Sequence, residues 1–137
     1  MNLNTYLHFN GNCEAAFNFY AKSLGGRITA SMTYGASPAA AQVPPPFANK
    51  IIHARIAIGD QIIMGSDAPP DRTEKPQGFS ISIGVPDPAE ADRIYNTLSE
   101  GGEIRMAMNE TFFAHRFGMF VDRFGTPWMV ICEKKMA

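Results

Sequence analysis

Few side chains in this sequence could do chemistry near neutral pH: three imidazoles, two thiols, and one carboxylate close to a histidine. His8, His53 and His115 could each serve as a general base, a hydrogen-bond partner or a metal ligand. Local histidine metal sites use H-x-H, H-x-x-x-H or H-E-x-x-H spacing, and the chain has none of these. The expectation is three separate polar residues at strand edges or pocket walls. His115 is the strongest functional candidate, because Phe112, Phe113 and Arg116 lie beside it and Glu110 is close upstream. Glu110 either joins His115 and Arg116 in a polar patch at the mouth of a cleft, or closes a hairpin and pairs with Arg116 at the surface. His115 and Glu110 are the candidate catalytic residues. Cys13 falls at a helix N-terminus, which would lower a thiol pKa. It also opens that helix's apolar stripe, so a buried, inert thiol is expected. Cys13 and Cys132 could form one disulfide on counting alone, but two buried thiols in a reducing cytosol are the expectation. No serine stands in a G-x-S-x-G frame.

Composition narrows the function classes. Hydrophobic residues make up 45% of the 137 and charged residues 18%, enough apolar material for a packed core. The formal net charge is −1, and the basic residues are scattered apart from Lys134-Lys135, which argues against nucleic-acid binding. No apolar run approaches the roughly 20 residues that cross a bilayer. The N-terminus lacks the basic start and apolar stretch of a secretory signal. A cytoplasmic protein with no membrane partner is expected. Gly25-Gly26 and Gly101-Gly102 follow predicted helices, whereas a phosphate cradle precedes one, so they read as C-caps. No cofactor is expected.

The elements that position these residues are repeated. At a shift of 76 positions, Tyr6-Leu7-His8-Phe9 falls on Ser82-Ile83-Gly84-Val85, Glu14-Ala15 on Glu90-Ala91, and Gly25-Gly26 on Gly101-Gly102. Each copy begins with a strand of alternating apolar residues, Leu7 and Phe9 or Ile81, Ile83 and Val85. A helix follows, with stripes Cys13, Ala16, Phe17, Tyr20, Leu24 and Ala91, Ile94, Tyr95, Leu98. In the second helix Asp87 reads as N-cap, Pro88 as the first helical residue and Glu90 as capping-box partner. Three strands then follow in each copy, at 27–34, 50–58 and 61–65, and at 103–108, 115–122 and 128–132. Residues 53, 55 and 57 alternate with Ile52, Ala54, Ile56 and Ile58, the pattern of a strand with two unlike faces. The Ala- and Pro-rich loop 35–49 is either a lid, a partner contact or a floppy insertion. One domain is expected, with module one at about 1–67, a linker at 68–77 and module two at about 78–137.

Two βαβββ units in tandem resemble the vicinal oxygen chelate superfamily of glyoxalase I, bleomycin-resistance proteins, fosfomycin-resistance enzymes and extradiol dioxygenases. Its PhnB-like branch is resembled through Tyr6-Leu7-His8-Phe9-Asn10-Gly11-Asn12-Cys13, Met32-Thr33-Tyr34-Gly35, His53-Ala54 and Ile62-Ile63-Met64-Gly65-Ser66-Asp67. The longest such stretch runs from Glu110 to Gly118 and on through Asp122-Arg123-Phe124-Gly125 to Pro127-Trp128-Met129. The resemblance implies an α+β fold, tandem βαβββ modules forming a curved eight-stranded sheet with helices on its outer face. It also implies a homodimer. Superfamily enzymes hold one divalent metal with His or Gln on the first strand of each unit and Glu on the last, and the metal polarises two substrate oxygens. Those slots fall here at Asn4 (or Thr5), Ser80, Ile63 (or Met64) and Met129. None is His, Glu or Asp, and a thioether is a soft donor, so no metal is expected.

What is expected to remain is a hollow on one face of the sheet. Tyr6 and His8 share a face with the Asn4 slot by period two, and Ser82 shares one with Ser80. Tyr34, Phe112, Phe113, His115, Arg116 and Met129 complete the candidate ligand-binding set. The resulting expectation is a small-molecule binder. The alternative is a superfamily enzyme with a displaced metal or metal-free acid–base chemistry through His115 and Glu110. A methyltransferase label attached to this branch does not suit the sequence, which lacks a glycine-rich strand-to-helix nucleotide site.

Overall fold

Strand alternation and helix stripes give the same architecture twice in the computed structural model, which describes residues 1–135. The chain divides into two compact units, Met1–Glu74 and Lys75 onward. In the first unit the order is β1 (Thr5–Phe9), α1 (Cys13–Leu24), β2 (Arg27–Thr33), β3 (Ile51–Ile58) and β4 (Gln61–Asp67). In the second it is β5 (Ile81–Gly84), α2 (Pro88–Ser99), β6 (Glu103–Asn109), β7 (Ala114–Val121) and β8 (Pro127–Glu133). The eight strands form two hydrogen-bonded sheets of four, ordered β1-β4-β3-β2 and β5-β8-β7-β6. In each sheet the first strand pairs with the last in parallel, and the other neighbours are antiparallel. No described helix is long and apolar enough to cross a membrane.

Each helix packs its stripe on one face of its own sheet. In the first unit Leu7 and Phe9 of β1 are buried with Cys13, Ala16, Phe17 and Tyr20 of α1 and Ile56 of β3. Ser23, not Leu24, is the buried residue in the last turn of α1. In the second unit Ala91, Ile94, Tyr95 and Leu98 of α2 are buried with Phe120, Trp128 and Val130. The Tyr95 ring meets Phe120 edge-on, with centroids 5.3 Å apart. Close approach demands glycine at two points under the helices. A Cβ on Gly65 would lie 2.7 Å from Phe17, and one on Gly118 would lie 2.6 Å from Tyr95.

The two helix starts are built differently. Asp87 caps α2 as expected, accepting from the Ala89 N–H at 3.1 Å. Glu90 does not close a capping box; its carboxylate is drawn to Arg93 on the next turn, 2.7 Å away. At α1 the Asn12 side chain makes no cap. The carboxylate of Asp67, at the end of β4, takes its place and accepts from the Cys13 N–H at 2.9 Å. Its second oxygen accepts from the Ile51 N–H at 2.9 Å, so one buried side chain fixes the starts of both α1 and β3. The loop 35–49 folds back on its own unit. It contains two short 3-10 turns, Ala40–Gln42 and Pro45–Phe47, and the Gly35 N–H donates to the Ala48 carbonyl at 2.8 Å.

Candidate functional site

One face of each sheet carries the helix, and the residues of opposite parity stand on the other, open face. On the first sheet the register sets two rows on this open face. Ala30, Arg55, Met64 and Tyr6 lie side by side across β2, β3, β4 and β1. Two residues along, Met32 lies beside His53, and Ser66 beside His8. The Tyr6 hydroxyl is 3.2 Å from His53 Nδ1. Its ring centroid is 5.1 Å from that of His8 and 5.7 Å from that of His53, at interplanar angles of 37° and 30°. Three tilted rings therefore form one platform, and Tyr6 in its centre is 37% exposed. Beside it the Arg55 guanidinium has a Met64 thioether contact at 3.7 Å and no ion pair among the described residues.

The open face of the second sheet is more apolar. Met119 and Met129 are register partners, as are Phe117 and Ile131, and Ser82 lies beside Met129. An open groove of about 600 Å³ lies at one end of this sheet, between residues 75–80 and the adjoining ends of β7 and β8. Phe79, Ser80, Met119 and Met129 line it together with the core residues Phe120 and Trp128, and Lys75 and Arg105 stand at its polar positions. Ser80 and Met129, both candidates from sequence, line this groove. His115 is exposed at the start of β7. Phe112 is 91% exposed in the hairpin between β6 and β7, and Phe113 packs edge-on between Phe112 and Phe117.

Three sequence candidates have other employment. Arg116 follows His115 on β7 and so points to the helix side, where its Nε donates to Asp92 of α2 at 2.8 Å. Glu110 binds Lys134 at 2.7 Å, not Arg116. That contact, with lesser help from His115 and Arg116, holds the Glu110 carboxyl below its usual range. A carboxylate held ionised in this way is poorly suited to the general-acid half of acid–base chemistry. Tyr34 is buried; its hydroxyl donates to the Asp67 carbonyl at 2.7 Å and its ring lies against Phe47. Burial, and then Asp67, push its pKa up. It is a tie for the loop 35–49. The helix N-terminus does not activate Cys13. Burial first, then Asp67 and Glu14, push the thiol up to about 12, and both Cys13 and Cys132 are free, buried thiols.

From the sequence His53 is expected only as a separate polar residue at a strand edge or pocket wall, and Arg55 carries no expected role. The usable signal was the alternation in β3, which places residues 53 and 55 together on the face away from Ile56.

The metal that the fold class implies finds no matching donors. Met64 and Met129 stand on the open faces beside Tyr6 and Ser82, whereas Ile63 is turned inward and buried. Asn4 and Ser80 precede β1 and β5. Two thioethers, an amide and a hydroxyl are a poor set for a hard or borderline divalent ion. Among the described residues no three His, Cys, Asp or Glu side chains converge.

Paired βαβββ units of this topology define the glyoxalase/bleomycin-resistance class of fold. The fosfomycin resistance protein FosX from Mesorhizobium loti shares it at a TM-score of 0.65 and 12% identity, over 98% of this chain and 92% of that one. The chain belongs to the PhnB-like family whose model, described as 3-demethylubiquinone-9 3-methyltransferase, matches residues 1–131. It is similar to protein YjdN of Escherichia coli strain K12, at 36% identity over 98% of this chain and 97% of that protein. It is also similar to protein PA1353 from Pseudomonas aeruginosa, with 44% identity and a TM-score of 0.90 over 98% and 99% of the two chains.

Proposed function

We propose that the chain binds a small organic molecule in the groove of its second sheet, without a divalent metal. The observation that carries this reading is the groove itself, about 600 Å³ with methionine and phenylalanine walls and a few polar positions. That mixture is the usual make-up of a small-ligand site. Ser80 and Met129 occupy the slots where metal-dependent relatives of this fold class would need His, Gln or Glu, and so give the groove surface in place of coordination. The family's methyltransferase description is not favoured: the β1–α1 turn, Asn10-Gly11-Asn12, holds a single glycine where a nucleotide site needs several. A cytoplasmic homodimer belongs to the same reading; the edge strands β1, β2, β5 and β6 each have one side unpaired within their sheets, which favours pairing.

The test combines metal analysis of dialysed protein with a fragment screen followed by amide NMR. The expected result is far less than one divalent ion per chain, with fragments shifting the Phe79, Ser80 and Met129 amides. Ser80→Trp, which fills the groove, should abolish those shifts. A stoichiometric ion surviving dialysis, or fragment binding indifferent to Ser80→Trp, overturns the proposal. Light scattering on the same sample reads the dimer.

A further inference from the structure

We infer that the Tyr6–His8–His53 platform and Arg55, on the open face of the first sheet, form a recognition site for a planar aromatic carboxylate. The inference shares with the proposed function only the claim that open sheet faces bind organic molecules, and it concerns a different sheet. Three observations converge on it. The His8 and His53 ring centroids lie 5.1 and 5.7 Å from that of Tyr6, at interplanar angles of 37° and 30°, so Tyr6 joins the three into one aromatic cluster. A flat conjugated ring can lie on such a platform in offset stacking, which a saturated ring cannot do. None of the three rings belongs to the buried core.

The second observation is the charge beside the platform. Arg55 lies next to Met64, and Met64 next to Tyr6, in a single row across the sheet. Its contact with the Met64 sulfur is a weak one, and among the described residues no carboxylate pairs with it. A guanidinium held at a sheet face without an acidic partner offers a flat fork of donors, which matches a carboxylate in two parallel hydrogen bonds.

The third observation concerns polarity at the far side. With the Tyr6 hydroxyl hydrogen-bonded to His53 Nδ1, the His53 Nε2 is available as a donor or acceptor toward a ring substituent, according to tautomer. A ring on Tyr6, a carboxylate on Arg55 and a hydroxyl or carbonyl toward His53 would engage the aromatic cluster, the guanidinium and the His53 Nε2 together. Met32 and Met64 are polarizable and can adjust to the ring's outline.

The experiment titrates 2-naphthoate into the full chain and follows the histidine Cε1–H signals. Parallel titrations use 2-naphthamide and cyclohexanecarboxylate. Naphthoate should shift the His8 and His53 signals, with the amide and the saturated acid each binding roughly tenfold more weakly. Arg55→Gln should weaken naphthoate by roughly tenfold and erase its preference over the amide, and affinity for the wild type should fall with added salt. Tyr6→Leu should erase the preference for the aromatic acid over the saturated one. Both positions are exposed, and a thermal melt verifies that each variant folds. Ser80→Trp should leave all of this unchanged. Equal binding of acid and amide, or silent imidazoles, overturns the inference and leaves the second-sheet groove to stand or fall on its own screen. Naphthoate shifts confined to Phe79, Ser80 and Met129 would assign aromatic acids to that groove and likewise overturn it.

Discussion

The two βαβββ units share their helix-facing construction and differ on their open faces. In each, a buried aromatic residue of the helix rests on a strand glycine, Phe17 on Gly65 and Tyr95 on Gly118. In each, one nearly inaccessible aspartate gathers donors. Asp67 accepts from the Cys13 and Ile51 N–H groups, and Asp122 from Phe124, Thr126 and the Trp128 indole. The open faces share a methionine on the last strand, Met64 or Met129, and otherwise differ. The first presents a tyrosine, two histidines and an arginine, the second mainly methionine, phenylalanine and serine. The helix side is constrained by packing, where a single methylene is felt. The open side does not hold the core together, and its side chains are free to serve recognition.

The largest effect should come from removing the aspartates. Asp122→Ala loses at least the hydrogen bonds from Phe124, Thr126 and Trp128 and should cost about 3–5 kcal/mol, while Asp67→Ala loses those from Cys13 and Ile51 and should cost about 2–4 kcal/mol. Urea unfolding of both variants reads the difference. Asp122 also defines the β7–β8 turn, where the Gly125 N–H donates to its carbonyl at 3.0 Å. The stretch Asp122-Arg123-Phe124-Gly125 thus forms the turn and ties it to Trp128. An Asp67→Ala cost well above that of Asp122→Ala would break the proposed equivalence of the two networks.

Parts of this arrangement were legible in the sequence. Period two in β1 separates Leu7 and Phe9 from Tyr6 and His8, and the structure keeps that division. The repeat is plain through the first two strands and helix, then fades for a physical reason. β2 and β6 keep the shift of 76, but β3 and β7 begin 63 positions apart and β4 and β8 begin 66 apart. The longer β2–β3 connection and the longer β7–β8 turn put the copies out of phase. Period two also placed Arg116 opposite His115, and grouping the two by sequence proximity ignored it. The Asp67 cap on α1 could not be read locally, because donor and acceptor are 54 positions apart. The partner of Glu110 was hidden similarly: Lys134 reaches it only because β8 lies beside β7.

The glycines give an intermediate effect that sharpens the comparison. Gly65→Ala and Gly118→Ala should each cost about 1–3 kcal/mol, the usual range for overpacking. Gly65→Ala should be the worse of the two. Its Cβ would meet a second obstacle that cannot rotate away, the Leu7 backbone oxygen at 3.0 Å, whereas the third neighbour of Gly118 is the flexible Met108 sulfur at 3.2 Å. Equal costs measured in urea would mean that the helix shifts as a body and relieves both contacts.

The smallest effect belongs to Glu110→Gln, and its sign is informative. Lys134 lowers the carboxyl pKa of Glu110 in the folded chain. The pair therefore stabilises the fold above the ordinary carboxylate value of 4.5, and that contribution is lost as pH falls below it. Because Glu110 is exposed, the unfolding midpoint at pH 7 should move less than in either glycine variant, and the gap from wild type should close as the pH is taken down toward 3. A catalytic acid would require the opposite, a carboxyl pushed up toward neutrality. If Glu110→Gln instead abolished a reaction limb near neutral pH while stability stayed unchanged, Lys134 would be a partner only in the resting state, and the acid–base reading of the β6–β7 hairpin would return.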